Sequence, residues 1–158
     1  MPDVDWRILK QLEPYADSFK VHRHSDLPAP ITNPADFAAA LGYDINRIAK
    51  TLLLRSQSRF DYYAVTLRAA VRADLTGIAQ SAASGRLEVA SPREMLDATG
   101  YLPRGMSPLG ITGISVFLDQ SLLNYDTVLI GGGVPGVEIE IPPRLLASLC
   151  NATVGQFT

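Results

Sequence analysis

The sequence has few of the residues on which most catalytic and metal sites depend. Its 158 residues include one cysteine, Cys150, and two histidines, His22 and His24. A single cysteine cannot form an internal disulfide, and Cys150 lies in an apolar helical pattern that favours a small buried side chain over a reactive thiol. Two histidines are too few for a zinc site without a third ligand at a recognisable spacing. The sequence therefore predicts neither a thiol nucleophile nor a metal centre.

Long hydrophobic runs and secretion signals are absent as well. The uninterrupted apolar runs span only a few residues, whereas a membrane-spanning helix needs about 20. The N-terminal segment MPDVDWRILK carries too many charges for a signal peptide. Hydrophobic residues make up 47% of the chain and charged residues 19%, a balance that argues against disorder. We therefore expect a soluble cytoplasmic protein with no membrane partner and a single domain over residues 1–158.

Basic residues are scarce in the C-terminal third, where Arg144 is the only one after Arg104. Six of the fourteen lie between positions 47 and 72, against one acidic residue in that window: Arg47, Lys50, Arg55, Arg59, Arg68 and Arg72. Affinity for a long duplex grows with the number of phosphates neutralised. A local patch on a chain of net charge −2 therefore suits one end of a nucleic acid better than a DNA duplex. A solvated hairpin surface is the alternative interpretation.

Helical and strand patterns alternate along the chain without repeats. Helices are predicted at residues 4–12, 33–42, 74–83, 91–99 and 143–150, with one turn at 44–49. Strands are predicted at 19–24, 50–55, 60–67, 114–118, 127–130, 137–141 and 153–157, with a hairpin turn at 56–59. Asn33 and Ser91 are N-caps followed by proline, and Ser91 with Glu94 forms a capping box. The pattern predicts a single-domain α+β fold with a mixed, mostly antiparallel curled sheet or small barrel and helices packed outside.

Two glycine-rich segments stand out, GYLPRGMSPLG at 100–110 and GGGVPG at 131–136. In the first, Ser107 lacks the spacing and the preceding strand of a nucleophile elbow, so an acylated serine is not expected. The second formally contains G-x-G-x-x-G, but the VEIEI that follows alternates with period two and predicts a hairpin rather than a dinucleotide site. No GK[ST] motif is present, which excludes a nucleotide-phosphate loop at the level of motif.

Lys50 stands in the apolar run AKTLLL at 49–54, where a lysine is rare unless its ammonium reaches water or an acceptor. One interpretation is a lysine that extends from the strand end into solvent. The other is a positioned cation that binds a phosphate or a carbonyl oxygen. Because glycine loops allow backbone N–H groups to approach a ligand closely, we expect Lys50 and both loops to share one polar binding site.

Three motifs in this order, Ala49-Lys50-Thr51-Leu52, GYLPRGMSPLG and IGGGVPGVEIEI, resemble the YbaK/proline-tRNA-synthetase-associated family of aminoacyl-tRNA deacylases over about residues 20–158. The resemblance implies a compact α+β domain that hydrolyses the ester between a wrongly attached amino acid and the 3′ end of a tRNA. It implies no metal or organic cofactor, and a synthetase as a further partner in some members. The expected activity is trans-acting removal of a small amino acid, such as cysteine or alanine, from tRNA(Pro).

The resemblance also implies roles for individual residues. Lys50 falls on the family lysine that contacts the substrate at the tRNA terminus, and is the expected catalytic residue. The expected substrate-binding residues are His24, Thr51, Gly105, Met106, Ser107, Pro108, Gly110, Gly132, Gly133, Gly136 and Glu138. The cysteine-specific members often have basic residues where this chain has Val134-Pro135, and an aspartate where it has Glu138. Pro103 resembles the alanine-editing members instead. The amino-acid specificity therefore stays open.

An aminoacyl ester is an activated acyl group, so a site can hydrolyse it by orienting water and stabilising the oxyanion. One lysine and backbone N–H groups suffice, and either water or a group on the substrate attacks. Two alternatives stay open on the sequence. The first is a non-catalytic module that binds a tRNA end or a nucleotide-like ligand with a synthetase, and the second is a deacylase of another small activated ester.

Overall fold

The computed structural model describes residues 3–58 and 60–158, which contain five α-helices and eight strands. The helices are α1 Trp6–Leu12, α2 Pro34–Leu41, α3 Leu75–Ala82, α4 Pro92–Thr99 and α5 Pro143–Cys150. The strands are β1 Lys20–Arg23, β2 Ala49–Ser56, β3 Tyr62–Arg68, β4 Leu87–Val89, β5 Ser115–Asp119, β6 Val128–Gly131, β7 Val137–Ile141 and β8 Thr153–Gly155. Arg59, the last residue of the predicted hairpin turn, lies outside the described residues, as do Met1 and Pro2.

The helix boundaries follow from capping groups visible in the sequence. Asn33 Oδ1 accepts a hydrogen bond from the Asp36 N–H at 2.9 Å, and Gly42 ends α2 in the left-handed conformation. Ser91 and Glu94 exchange the two hydrogen bonds of a capping box at the start of α4. These caps confirm the predicted helices, because each satisfies backbone groups that have no partner inside the helix.

The strands form two sheets rather than one. The three-stranded sheet is antiparallel in the order β1-β7-β6, and the five-stranded sheet is mixed in the order β4-β2-β3-β5-β8. A parallel bridge between Ile48 and Leu129 connects them, and they do not close into a barrel. The predicted single-domain α+β fold is confirmed. The sequence analysis missed β4, since three residues are too few for a recognisable alternation.

Three apolar clusters fill the space between the sheets and the helices. In the main cluster, Val137, Ile139 and Ile141 of β7 pack with residues of α1 and α5. A second cluster lies under α3 and a third under α2, where Phe37 and Leu129 are buried. The two glutamates of β7 alternate with its buried apolar residues and therefore belong to the sheet face opposite the main cluster. Within residues 3–58 and 60–158, no helix is long and apolar enough to cross a bilayer.

Candidate active site

The two glycine-rich loops pack directly against each other. A Cβ on Gly131 would collide with the carbonyl oxygen of Met106, and a Cβ on Gly105 would lie 2.9 Å from the backbone nitrogen of Val134. Both contacts are with backbone atoms, which cannot move aside as a flexible side chain does. The structure therefore brings together two segments separated by about 25 positions in the sequence, at the turn between β6 and β7.

The GGGVPG segment forms the turn of an antiparallel hairpin in which Gly131 pairs with Glu138. This geometry confirms the prediction of a hairpin and excludes the dinucleotide interpretation. The Gly132 N–H donates to the Val137 carbonyl at 2.9 Å, and the Gly132 carbonyl accepts from the Asp5 N–H at 3.0 Å. The Gly132 amide is thus engaged in the turn. Within the described chain, the Gly133 and Gly136 amides donate to no other residue, so both are candidate donors to a ligand.

The side chains of the first glycine loop face inward. Met106 is 4% exposed and belongs to the main cluster, and Ser107 is fully buried. The Ser107 Oγ accepts the Leu109 N–H at 3.2 Å, while the Gly110 N–H donates to Gln11 Oε1 at 3.0 Å. The loop is therefore anchored to the body of the protein. A buried hydroxyl with a backbone partner agrees with the prediction that Ser107 is not a nucleophile.

Cys150 is likewise unsuited to nucleophilic chemistry. Burial raises the pKa of its thiol to about 12, and the thiol donates a hydrogen bond to the Pro108 carbonyl at 3.4 Å. A thiol with this pKa carries almost no thiolate near neutral pH. Within the described residues, no group of three or more His, Cys, Asp or Glu side chains could hold a metal ion.

Lys50 lies on β2 at the junction of two apolar clusters. It shares a strand face with Ile48, which packs under α2, and with Leu52, which packs under α3. The side chain is partly buried, and burial, followed by the positive charge of Arg72, lowers the pKa of its ammonium group. No carboxylate within the described chain lies within 4.0 Å of this ammonium. An unpaired, partly desolvated lysine is typical of a site that receives an anion or a polar ligand.

The bridge between the sheets sets the register of β2 against β6, the strand that leads into the glycine turn. Ile48 and Leu129 are paired in parallel, and β2 packs against β6. Two residues further along each strand are Lys50 and Gly131, the first residue of the turn. Because residues two apart share a strand face, this register places Lys50 on the same side of the sheets as Gly131 and its pairing partner Glu138.

His24 and Glu138 lie together beside the other end of the turn. The His24 N–H donates to the Gly136 carbonyl at 2.9 Å, and its ring stands 5.2 Å from the ring of Phe37. Its Nε2 atom is 3.4 Å from Glu138 Oε1 but is buried without a hydrogen-bond partner in the described structure. Burial raises the pKa of Glu138, and the neighbouring histidines only partly offset this effect. A buried polar group without a partner beside such a carboxyl is more typical of a functional site than of a structural pair.

Thr51, one of the expected substrate-binding residues, lies on the face of β2 opposite to Lys50. Its hydroxyl shares a hydrogen bond of 2.9 Å with the hydroxyl of Thr66, on the other face of β2. Two surface pockets also lie elsewhere, one between α3 and β4 and the other between residues 113–116 and the end of α5. Neither includes Lys50 or a glycine loop, so a single cleft that joins all the expected residues stays a prediction.

Sequence reasoning missed a buried carboxylate next to this region, Glu140. It accepts hydrogen bonds from Tyr43 Oη at 2.6 Å and Thr127 Oγ1 at 2.7 Å, and it contacts His22 Nε2 at 2.9 Å. Burial alone would raise its pKa, but the hydrogen bonds from Tyr43, Thr127 and His22 lower it to about 2. Arg47 approaches at 3.4 Å. The alternation in VEIEI is the sequence signal that places both of its glutamates on one face.

Comparison with known proteins decides the family. The model of a family described as an aminoacyl-tRNA editing domain matches residues 28–149. The chain belongs to the aminoacyl-tRNA editing domain family. This confirms the resemblance seen in the sequence. The matched region contains Lys50, both glycine loops and Glu138, whereas His24 precedes it.

Individual editing-domain relatives and structures agree with this assignment. A candidate Cys-tRNA(Pro)/Cys-tRNA(Cys) deacylase of Enterococcus faecalis, named EbsC, is 26% identical over 122 residues, which cover 77% of this chain and 74% of the relative. The uncharacterised protein YwhH of Bacillus subtilis is 30% identical over 119 residues, 74% of each chain. A crystal structure described as a candidate trans-editing enzyme for prolyl-tRNA synthetase superposes with a TM-score of 0.83 at 27% identity, and covers 96% of this chain and 94% of that one.

Proposed function

We propose that the protein hydrolyses in trans the ester of mischarged aminoacyl-tRNA that carries a small amino acid, such as cysteine or alanine. The observation that carries this proposal is Lys50, a cation with no carboxylate of the described residues within 4.0 Å, on the strand that packs against β6. The names of EbsC and of the prolyl-tRNA synthetase editing enzyme support tRNA(Pro) as the first tRNA to test. We place the activity in the cytoplasm, where charged tRNA is used, acting free or beside a synthetase.

The proposed reaction needs no covalent intermediate with the enzyme. Lys50 holds the terminal phosphate or the acyl carbonyl oxygen, and the amide of Gly133 or Gly136 donates to the developing oxyanion. Water, or a group on the substrate, attacks the carbonyl carbon. The bond between that carbon and the ribose oxygen breaks, and the ribose oxygen takes a proton to leave as a hydroxyl. His24 and Glu138 lie at the edge of the same turn, where they contact the terminal nucleotide.

Amino-acid selection in this proposal depends on pocket size. The Met106 side chain is buried in the main cluster while its carbonyl packs on Gly131, so we expect a change of this side chain to shift the loop and, through it, the turn. A hydrophobic pocket discriminates one methylene by only about 1–3 kcal/mol. We therefore expect partial selectivity between cysteine and alanine and strong exclusion of large side chains.

A panel of mischarged tRNAs tests the proposed function. The purified protein is presented with tRNA(Pro) and two other tRNAs, each charged in turn with alanine, cysteine, proline and a large amino acid, and free amino acid is measured over time. Catalytic release of a small amino acid, with competition by uncharged tRNA, is the expected result. Retention of every amino acid would instead identify a binding module. Release that uncharged tRNA does not inhibit would identify a hydrolase of another activated ester.

A further inference from the structure

The fold divides the basic residues of positions 47–72 into paired and unpaired cations. Arg47 donates to the Thr127 carbonyl at 3.0 Å and approaches Glu140, so its charge is neutralised inside the protein. Arg55 is paired in the same way with Glu94, at 2.9 Å, and with a second glutamate. For the remaining cations among the described residues of this window, no carboxylate lies within 4.0 Å: Lys50, Arg68 and Arg72.

Arg68 is not placed to share a ligand with Lys50. In the antiparallel pair of β2 and β3, Lys50 stands opposite Leu67, whereas Arg68 stands opposite Ala49. Residues directly opposite each other point to the same side of the sheet, and successive residues alternate. The side chains of Lys50 and Arg68 therefore leave opposite faces.

The chain after β3 stays beside the start of β2, and Arg72 lies on this segment. The Ala69 N–H donates to the Ile48 carbonyl at 2.8 Å, which keeps this segment beside β2 after the strand ends. The Val71 N–H donates to the Arg68 carbonyl at 3.3 Å and closes a turn. Arg72 follows this turn and is exposed.

The packing of this turn places it along the Lys50 side of the sheet. Ala69 packs on the cluster under α2 and Val71 packs on the cluster under α3. Lys50 lies between these same two clusters. The charge of Arg72 is close enough to act on the ammonium of Lys50. Burial is the larger cause of the lowered pKa of Lys50, and the positive charge of Arg72 is the second cause.

We propose that Arg72 is a phosphate-binding residue, which holds a phosphodiester of the single-stranded 3′ end of tRNA beside the group held by Lys50. The inference rests on the proposed function. Two neighbouring cations without a carboxylate repel each other until an anion binds. A small free ester needs only one cation, whereas a nucleotide strand offers adjacent phosphates to both. The pair therefore favours an RNA end as the ligand.

The test compares wild type with Arg72→Ala, Arg72→Lys and the control Arg144→Ala, which removes an exposed arginine from α5. Binding of uncharged tRNA(Pro) and the kinetics of deacylation are measured between low and moderate salt. Arg72→Ala is expected to raise Kd and KM about 10-fold with kcat unchanged, as for one lost charged contact. The slope of log affinity against log salt should shrink by about 0.7, the value for one single-strand phosphate. Arg72→Lys should restore the slope, and Arg144→Ala should leave every quantity unchanged.

Two results would overturn the inference. One is an unchanged Kd and salt slope in Arg72→Ala, and the other is an equal loss in Arg144→Ala, which would mean that only the overall charge matters. Failure of the proposed function looks different. If the wild type hydrolyses no charged tRNA but Arg72→Ala still lowers the salt slope of tRNA binding, the phosphate contact stands and the deacylase proposal falls.

Discussion

At the scale of single residues, two glutamates two positions apart on β7 show pKa shifts of opposite sign. Burial raises the pKa of Glu138, and among the described residues its Oε1 atom lies 3.4 Å from His24 Nε2. Hydrogen bonds from Tyr43, Thr127 and His22 overcome burial at Glu140 and lower its pKa to about 2. The strand is the same and the sheet face is the same. The number of hydrogen-bond donors on each carboxylate decides the difference: three donors hold Glu140, whereas Glu138 is the glutamate that we propose contacts the substrate.

Glu138→Gln tests this distinction at the candidate site. A carboxyl whose pKa is raised by folding stabilises the protein below its unfolded pKa and loses that contribution as the pH rises through the folded value. At neutral pH the variant is therefore expected to be more stable than wild type, by about 1 kcal/mol, with slower deacylation. Thermal melting at pH 7 and pH 4 measures the effect. A gain that is as large at pH 4 as at pH 7 would contradict the assignment.

Glu140→Gln is the matched variant, with the opposite expectation. A carboxylate whose pKa is lowered by folding contributes stability above its ordinary value of 4.5, and this is lost as the pH falls towards 2. The variant is expected to lose about 1–3 kcal/mol at pH 7, or roughly 2–4 °C of Tm for each kcal/mol. The Tm of the variant should also depend less on pH than the wild-type Tm does between pH 4.5 and about pH 2. Equal pH profiles for the variant and wild type would rule out an ionised Glu140.

At the scale of elements, the contact between the two glycine loops determines the shape of the site. Gly131→Ala would drive its Cβ into the Met106 carbonyl, a backbone group that cannot rotate away. We expect a loss of about 1–3 kcal/mol and a marked fall in deacylation, because the turn must shift. Gly113→Ala is the control, since a Cβ there meets nothing within 4 Å, although its φ of +72° carries a modest backbone cost. Equal losses of activity in both variants would show that the loop contact is not specific to the site.

The sequence patterns predicted those elements that local chemistry determines. Asn33 and Ser91 begin helices with side-chain caps, and VEIEI alternates as a strand, so short-range rules suffice. They missed β4, which is three residues long and is held by pairing with β2 rather than by its own pattern. The partners of Glu140 could not be predicted either, because they come from three segments distant in the chain.

At the scale of the whole molecule, a parallel bridge joins the two sheets, and the candidate site lies beside that junction. Ile48 and Leu129 connect the sheets, and Lys50 and Gly131 follow them on the two strands. The sequence indicated Lys50 as an unusual cation, and the family resemblance implied that the two glycine loops lie beside it. Only the fold shows that a long-range parallel register relates the lysine to the turn, since the two strands are about 80 positions apart. The role of this lysine is the claim on which the proposed function depends.

Single-turnover hydrolysis of alanyl-tRNA(Pro) or cysteinyl-tRNA(Pro) by wild type and Lys50→Met tests that role most directly. Methionine keeps an unbranched apolar side chain in the partly buried position. Because burial already disfavours the charged form of Lys50, the variant should melt at or above the wild-type Tm. The account predicts that the rate falls by about 100-fold or more, as for loss of one oxyanion or phosphate contact. A folded Lys50→Met variant that hydrolyses the ester at the wild-type rate would contradict it.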